Sequence, residues 1–217
     1  MHRAIVLLSG GIDSATALYL TRQETDEVYS MNFLYAQASV REAEASKALA
    51  TAAKVKEHFS IPLPFYQDIE TRYQPTPSPR VSGAYVPARN TIFYGIAAAY
   101  AETLRADKIV FGSNAEDAKE LPDARPEFIQ LMNKLLKAGT RVGLEGAASE
   151  IVNPLISYSK LDVLKLAIQL RVPLELTWSC YEDVIVPCGK CRGCCSRLKA
   201  FEQLSLTDPV KYAEPFA

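Results

Sequence analysis

The first 179 residues of this 217-residue chain contain no cysteine, and the whole chain carries only two histidines, His2 and His58. Two histidines so far apart argue against a histidine-centred triad or a histidine-rich metal site. All five cysteines fall between Cys180 and Cys195. A secreted disulfide framework spreads its cysteines to staple distant loops, so a reducing compartment, the cytoplasm, is expected. Net charge is lacking too: 24 basic against 25 acidic residues leave −1, not the polybasic balance of a nucleic-acid binder. No apolar run approaches the roughly 20 residues that cross a bilayer. The opening run Ala4-Ile5-Val6-Leu7-Leu8 is too short for a signal-peptide core and has no small-residue cleavage site after it. What is present, 48% hydrophobic and 23% charged residues, suits one soluble domain with or without a small appendage.

Short apolar runs alternate with longer helical stretches. Ala4 to Leu8 reads as a buried strand followed directly by a helix, and Val28 to Leu34 as a second strand. Val40 to His58, rich in Ala, Glu and Lys, predicts one long helix. Pro62 and Pro64 confine any strand around Leu63 to Tyr66 to a short or edge position. Tyr73 to Pro87, with Pro75, Pro77, Pro79 and Pro87, predicts an irregular loop. Helices are expected over Thr91 to Leu104 and, with proline in its first turn, Pro126 to Lys137; a third strand is expected over Lys108 to Gly112. Ser159 followed by Asp162 resembles a capping box opening a helix through Leu170. This alternation predicts an α/β fold: an open parallel, Rossmann-like sheet with helices on both faces, binding ligands beyond its C-terminal strand ends. Cysteine and glycine replace periodicity from Thr177 onward. The expected division is an ATP-binding α/β domain over 1–176 and a small metal-binding segment over 177–217.

The first strand-to-helix connection is Ser9-Gly10-Gly11-Ile12-Asp13-Ser14. Paired glycines allow a tight turn and close approach of backbone to an anion, and the first N–H groups of the helix point at that anion. Ser9 and Ser14 add hydroxyl donors. Asp13 repels phosphate directly, so orienting the loop or reaching magnesium suits it better. Neither the Gly-x4-Gly-Lys-Ser/Thr of a Walker motif nor the Gly-x-Gly-x2-Gly of a dinucleotide fold is present. A plain capping turn between strand and helix is the bland alternative. The full string resembles the SGGxDS loop of enzymes that split ATP between its α and β phosphates. That resemblance implies a nucleotide site over Leu8, Ser9, Gly10, Gly11, Ile12, Asp13, Ser14, Ala15, Thr16, Ala17 and Leu18.

Cys180, Cys188, Cys191 and Cys194 follow the spacing C-x7-C-x2-C-x2-C. Tight C-x2-C pairs bring thiolates to one ion, and a fourth ligand from a neighbouring loop closes a tetrahedron, so Zn2+ in a structural site is expected. A redox dithiol and an iron–sulfur cluster stay open as alternatives, although the proline that follows the last ferredoxin cysteine is missing. Cys195 is a spare thiol or a rival to Cys194.

With both motifs placed, the chain resembles the 7-cyano-7-deazaguanine (preQ0) synthase family, within the pyrophosphatase-loop superfamily whose fold is of the adenine nucleotide α-hydrolase type. Further strings carry the resemblance. Tyr85-Val86-Pro87-Ala88-Arg89-Asn90 is close to YVPxRN, and Pro122-Asp123-Ala124-Arg125-Pro126-Glu127-Phe128 to PDCRPEF. Asn153-Pro154-Leu155 with Lys160, Thr177-Trp178-Ser179-Cys180, and the run Cys188 to Cys194 followed by Arg197 and Phe201 complete it. The resemblance implies a ligase of queuosine-type biosynthesis that uses ATP and Mg2+ to turn 7-carboxy-7-deazaguanine and ammonia into the nitrile through an adenylate and an amide. It also implies a homodimer.

Charge selects the candidate side chains. Arg89 and Arg125 carry guanidinium forks that match a carboxylate or an α phosphate. Asn90 suits an edge of the deazapurine, and Asp117 and Asp123 suit magnesium or an exocyclic amine. Lys119 and Lys160 suit charge at the transferring phosphate; Asp13, Arg89, Arg125 and Lys160 form the expected catalytic set. Surface salt bridges and solvated lysines are the alternatives. Where the family has DYGQRHxxE, this chain has Leu34-Tyr35-Ala36-Gln37-Ala38-Ser39-Val40-Arg41-Glu42, keeping only Tyr35, Gln37 and Glu42; Ala124 replaces the cysteine of PDCRPEF. Two other readings therefore stand beside nitrile synthesis: a diverged relative that hands a similar acid to an amine on a protein or nucleic acid, and a non-catalytic zinc-knuckle module.

Overall fold

The computed structural model of the protein describes residues 2–35, 40–78, 81–82, 85–182 and 184–213. In chain order they form β1 (Arg3–Leu7), α1 (Ile12–Glu24), β2 (Glu27–Leu34), α2 (Val40–Ala52), β3 (His58–Pro62), α3 (Tyr66–Arg72), α4 (Arg89–Leu104) and β4 (Lys108–Phe111). There follow α5 (Ala115–Glu120), α6 (Pro126–Gly139), α7 (Arg141–Leu144), β5 (Glu150–Val152), α8 (Lys160–Gln169) and α9 (Arg192–Gln203). Short 3-10 turns at Pro122–Ala124 and Leu174–Leu176 complete the described elements.

All five strands are parallel, in the order β3-β2-β1-β4-β5. Side chains alternate across each strand, so β1 feeds two cores. Ala4 and Val6 face a cluster with Ala15 and Leu18 of α1, Leu49 of α2 and Val163 of α8. Ile5 and Leu7 face the other, with Tyr94 and Ala97 of α4 and Met132 and Leu136 of α6. Helices thus cover both faces, as expected. Ala200 and Phe201 of α9 enter the first of these clusters, so the segment after the cysteines shares the main core.

Two local expectations are corrected. The helix expected through His58 stops at Ala52: Lys54 takes a left-handed φ of 50°, and His58 opens β3 with its ring against Ser30. Propensity favoured continuation, but sheet pairing with β2 overrides it. The edge strand lies before, not after, the first proline; Pro62 ends it opposite Leu34, and Tyr66 opens α3 instead. β5 was too short to register as a pattern, at three residues. The irregular loop agrees where it is described, while Pro79 lies outside the described residues.

Candidate active site

Strand order reverses direction between β1 and β4, and the crevice beyond their C-terminal ends is where doubly wound sheets bind ligands. The Ser9–Ser14 loop leaves β1 there, and Gly112-Ser113-Asn114 leaves β4 beside it. Gly10 has φ +92°, and a Cβ on it would sit 2.6 Å from the Glu42 carbonyl oxygen. The glycine therefore serves both turn and close approach to α2. Ser46 of α2 donates to the Leu8 carbonyl at 2.7 Å, fixing the helix to the end of β1. Within the loop, Ser14 Oγ donates to the Gly11 carbonyl at 3.0 Å and lies 3.1 Å from Ser9 Oγ. In this conformation the Ser14 hydroxyl shapes the loop rather than offering its proton outward. The side chains of Leu8, Ile12, Ala15, Thr16, Ala17 and Leu18 are buried, so what this stretch presents to the crevice is backbone, Ser9 and Asp13.

Asp13 joins three elements. Lys160 Nζ, at the start of α8, donates to its Oδ1 at 2.7 Å, and Asn114 Nδ2 donates to its Oδ2 at 2.9 Å. Lys160 is placed there because Ser159 caps α8 by accepting from Asp162 N at 3.2 Å. Asn114 caps α5 in a full capping box with Asp117. Burial acts to lower the Lys160 pKa, but the Asp13 carboxylate outweighs it and the net direction is up, so this lysine stays charged. Asp117 is shifted up, first by burial and then by the like charge of Asp13. Tyr181, from the cysteine segment, lies within electrostatic reach of Lys160 and Asp117.

A second polar group surrounds Arg89. Its Nη1 donates to Tyr35 OH at 3.2 Å, and the guanidinium stands 5.9 Å from the Tyr35 ring centroid. Asn90 N donates to Asp123 Oδ2 at 3.2 Å, and Asn90 Nδ2 to the Asp123 carbonyl at 3.1 Å. Asn90 and Asp123 are both buried. Asp123 is shifted up by burial, against the opposing pull of the Asn90 N–H and Arg89. Glu42 is pushed up to about 7 by burial, with Arg89 opposing. The Nε of Arg89 and the hydroxyl of Tyr94 are buried without a hydrogen-bond partner among the described residues. Arg125 caps α6 at an exposed position and Lys119 is exposed on α5, so the structure brings neither into these two groups. Ala36 to Ser39, which hold most of the departures from the family string, lie outside the described residues.

The four cysteines converge. The sulfurs of Cys180, Cys188, Cys191 and Cys194 all lie within 4.8 Å of one another, with 4.0 Å between Cys188 and Cys194 and between Cys191 and Cys180. A tetrahedral ion with metal–sulfur bonds near 2.3 Å needs edges of roughly 3.8 Å, so the donor set fits a four-thiolate metal site. Backbone N–H groups of Lys190 and Cys191 point at Cys188 Sγ at 3.5 and 3.2 Å, as outer partners that hold a ligand. Cys195 turns away and donates to the Lys190 carbonyl at 3.3 Å, which leaves Cys194 in the ligand position. Among the described residues this is the group that can hold a metal through cysteine.

Asn114 and Tyr181 were not singled out from sequence. Asn114 carries a signal, an Asn between a strand and a helix, which reads as a cap before it reads as a site residue. Tyr181 carries none, because only the folded cysteine segment brings it to Lys160.

A family profile described as queuosine biosynthesis protein QueC matches residues 3–205. A 7-cyano-7-deazaguanine synthase of Thermosynechococcus vestitus is 42% identical, with 98% of this chain and 96% of that protein covered. One from Thermoplasma volcanium is 40% identical, over 98% and 91%. In fold, the chain is similar to an NMN synthetase of Francisella tularensis at TM-score 0.51 and 18% identity, covering 95% of this chain and 73% of that one. It is also similar to an NH3-dependent NAD synthetase of Campylobacter jejuni at TM-score 0.50 and 17% identity, covering 81% and 66%. Near-complete coverage at this identity, with the loop and the four cysteines in place, means that the chain belongs to the QueC family.

Proposed function

We propose that this chain is an ATP-dependent carbon–nitrogen ligase that converts 7-carboxy-7-deazaguanine and ammonia into 7-cyano-7-deazaguanine. The product is inferred from the relatives' name; the ATP step rests on the Lys160–Asp13–Asn114 group beside a glycine-paired loop at the strand-order reversal. Residues Leu8 to Leu18 form the nucleotide-binding stretch, with backbone N–H groups at the start of α1 directed at the β and γ phosphates. A substrate carboxylate oxygen attacks the α phosphorus, and pyrophosphate leaves. Ammonia then attacks the acyl carbon, loses a proton, and AMP departs to leave the amide. A second ATP activates the amide oxygen, which leaves with AMP as two N–H protons are lost and the nitrile forms.

Each side chain has a task in this reading. Lys160 balances charge at the α phosphate, held in place by Asp13. Asp13 and Asp117 are the carboxylates suited to Mg2+, which when bound spreads phosphate charge. Arg89 takes the substrate carboxylate, and Asn90 with Asp123 forms a polar wall for the deazapurine edge. The four cysteines hold Zn2+ in a closed structural site, and 177–217 acts as the metal-knit segment beside the nucleotide domain of 1–176. A cytoplasmic homodimer is the expected form, which sizing in solution tests.

The test is incubation with ATP, Mg2+, ammonium and 7-carboxy-7-deazaguanine, followed by mass spectrometry. Nitrile with AMP supports the reading. Amide or adenylate with AMP but no nitrile favours the diverged relative, and absence of AMP overturns both in favour of a binding module. Elemental analysis of the purified protein decides zinc against iron.

A further inference from the structure

Trp178, the one tryptophan in the chain, stands between the phosphate loop and the cysteine cluster. Its backbone N–H donates to the Gly10 carbonyl at 2.9 Å, and its indole Nε1–H donates to the Cys180 carbonyl at 2.8 Å. Its side chain packs on the cysteines with Val184 and Tyr212. A Cβ on Gly11 would lie 3.6 Å from the Trp178 carbonyl, so loop and segment run in contact.

The surroundings leave this link little freedom. Thr177 accepts from Arg197, whose guanidinium is buried and also bonds Leu174 and Asp208. Arg192, next to the ligand Cys191, pairs with Glu120 of α5. Gly193 lies so close to Ser179 that a Cβ would sit 1.9 Å from its carbonyl oxygen. A shift of the four sulfurs therefore moves Trp178, and a shift of Trp178 moves Gly10. The direction matters chemically, since a loop carbonyl free to rotate can turn its negative end toward a bound anion. Tethering Gly10 to the Trp178 N–H removes that conformer.

We infer that Trp178 is a positioning residue through which the four-cysteine site holds the phosphate loop in its anion-binding shape, so that metal and nucleotide reinforce each other's binding. The inference rests on the reading that this loop binds ATP. Linkage makes the effect reciprocal: metal tightens nucleotide binding by the factor by which nucleotide tightens metal binding.

The test uses the full-length metal-loaded protein. Nucleotide binding is first measured by equilibrium dialysis, and metal retention is then followed by elemental analysis under a chelator with negligible magnesium affinity. Saturating ATP should tighten metal binding, read as the chelator concentration that removes half of the metal at equilibrium, about fivefold or more, the low end of typical couplings. Bound nucleotide with an unchanged equilibrium affinity for the metal overturns the coupling while sparing the ATP reading; no nucleotide binding overturns both. Trp178→Phe keeps an aromatic ring, though a smaller one, and the backbone donor but loses the bond to Cys180. It should purify with its metal, raise KM for ATP several-fold, leave kcat within about twofold, and weaken the protection by ATP. Unchanged KM and full protection in that variant would remove Trp178 from the role.

Discussion

The carboxyl groups of Asp13 and Glu42 answer to different physics. Asp13 is satisfied by two donors, so its removal frees Lys160 and leaves Asn114 with one partner fewer. Asp13→Ala should lower AMP formation on the order of a hundredfold, the scale for losing one preorganised charge partner at a reacting phosphate. Unchanged turnover in a pyrophosphate-release assay would refute its role. Glu42 is held above its ordinary 4.5, at about 7, mainly by burial. Between these values the folded chain keeps a proton that the unfolded chain has released, so this group's contribution to stability declines as pH rises from 4.5 to 7. Above that window the folded state carries a partly buried carboxylate at a cost. Glu42→Gln should therefore raise the melting temperature at pH 8 and change it little at pH 5, by about 2–4 °C for each kcal/mol relieved. Equal shifts at the two pH values would contradict that account.

Among the elements, α1 and β4 meet at a position where side-chain volume is forbidden. A Cβ on Gly112 would lie 2.8 Å from the Asp13 carbonyl oxygen and 3.0 Å from Ala17 Cβ. Gly112→Ala should push α1 off β4, cost about 1–3 kcal/mol in denaturant unfolding, and weaken ATP binding because Asp13 moves with the helix. A stability loss with unaltered ATP affinity would separate packing from function. Element identity was largely legible where periodicity ran long: β1, β2, α1, α4, α6 and α8 follow from apolar spacing and caps. The end of α2 was not, because Ala, Lys and Glu there favour helix locally while strand pairing of His58 to Pro62 with β2 decides otherwise. β5 was invisible because three residues carry no period; its pairing with β4 defines it.

Across the whole molecule, the cysteine segment is tied to the parallel-sheet body at several points, through Trp178, Arg192 and the Ala200–Phe201 contribution to the main core. Metal loss should therefore be felt beyond residues 177–217. Chelation, or Cys191→Ser, should remove the metal and lower the melting temperature on the order of 10 °C, as binding energy lost from the folded state is folding energy lost. A metal-free protein that melts like the loaded one would limit the ion to a peripheral role.

The glycine-paired Ser9–Ser14 loop, the four-cysteine spacing and the parallel α/β class were present in the sequence itself, because each is written in residues close together along the chain. Asp13 needed Lys160 and Asn114, more than a hundred residues away, to become the centre of a site. Arg89 needed Tyr35, and Gly10 needed Trp178, in the same way. Local sequence governs turns, caps and ligand spacing; the order of strands in the sheet governs which of them meet. Only the tertiary structure could therefore separate Asn90 and Asp123, which hold each other, from Arg125 and Lys119, which stand exposed.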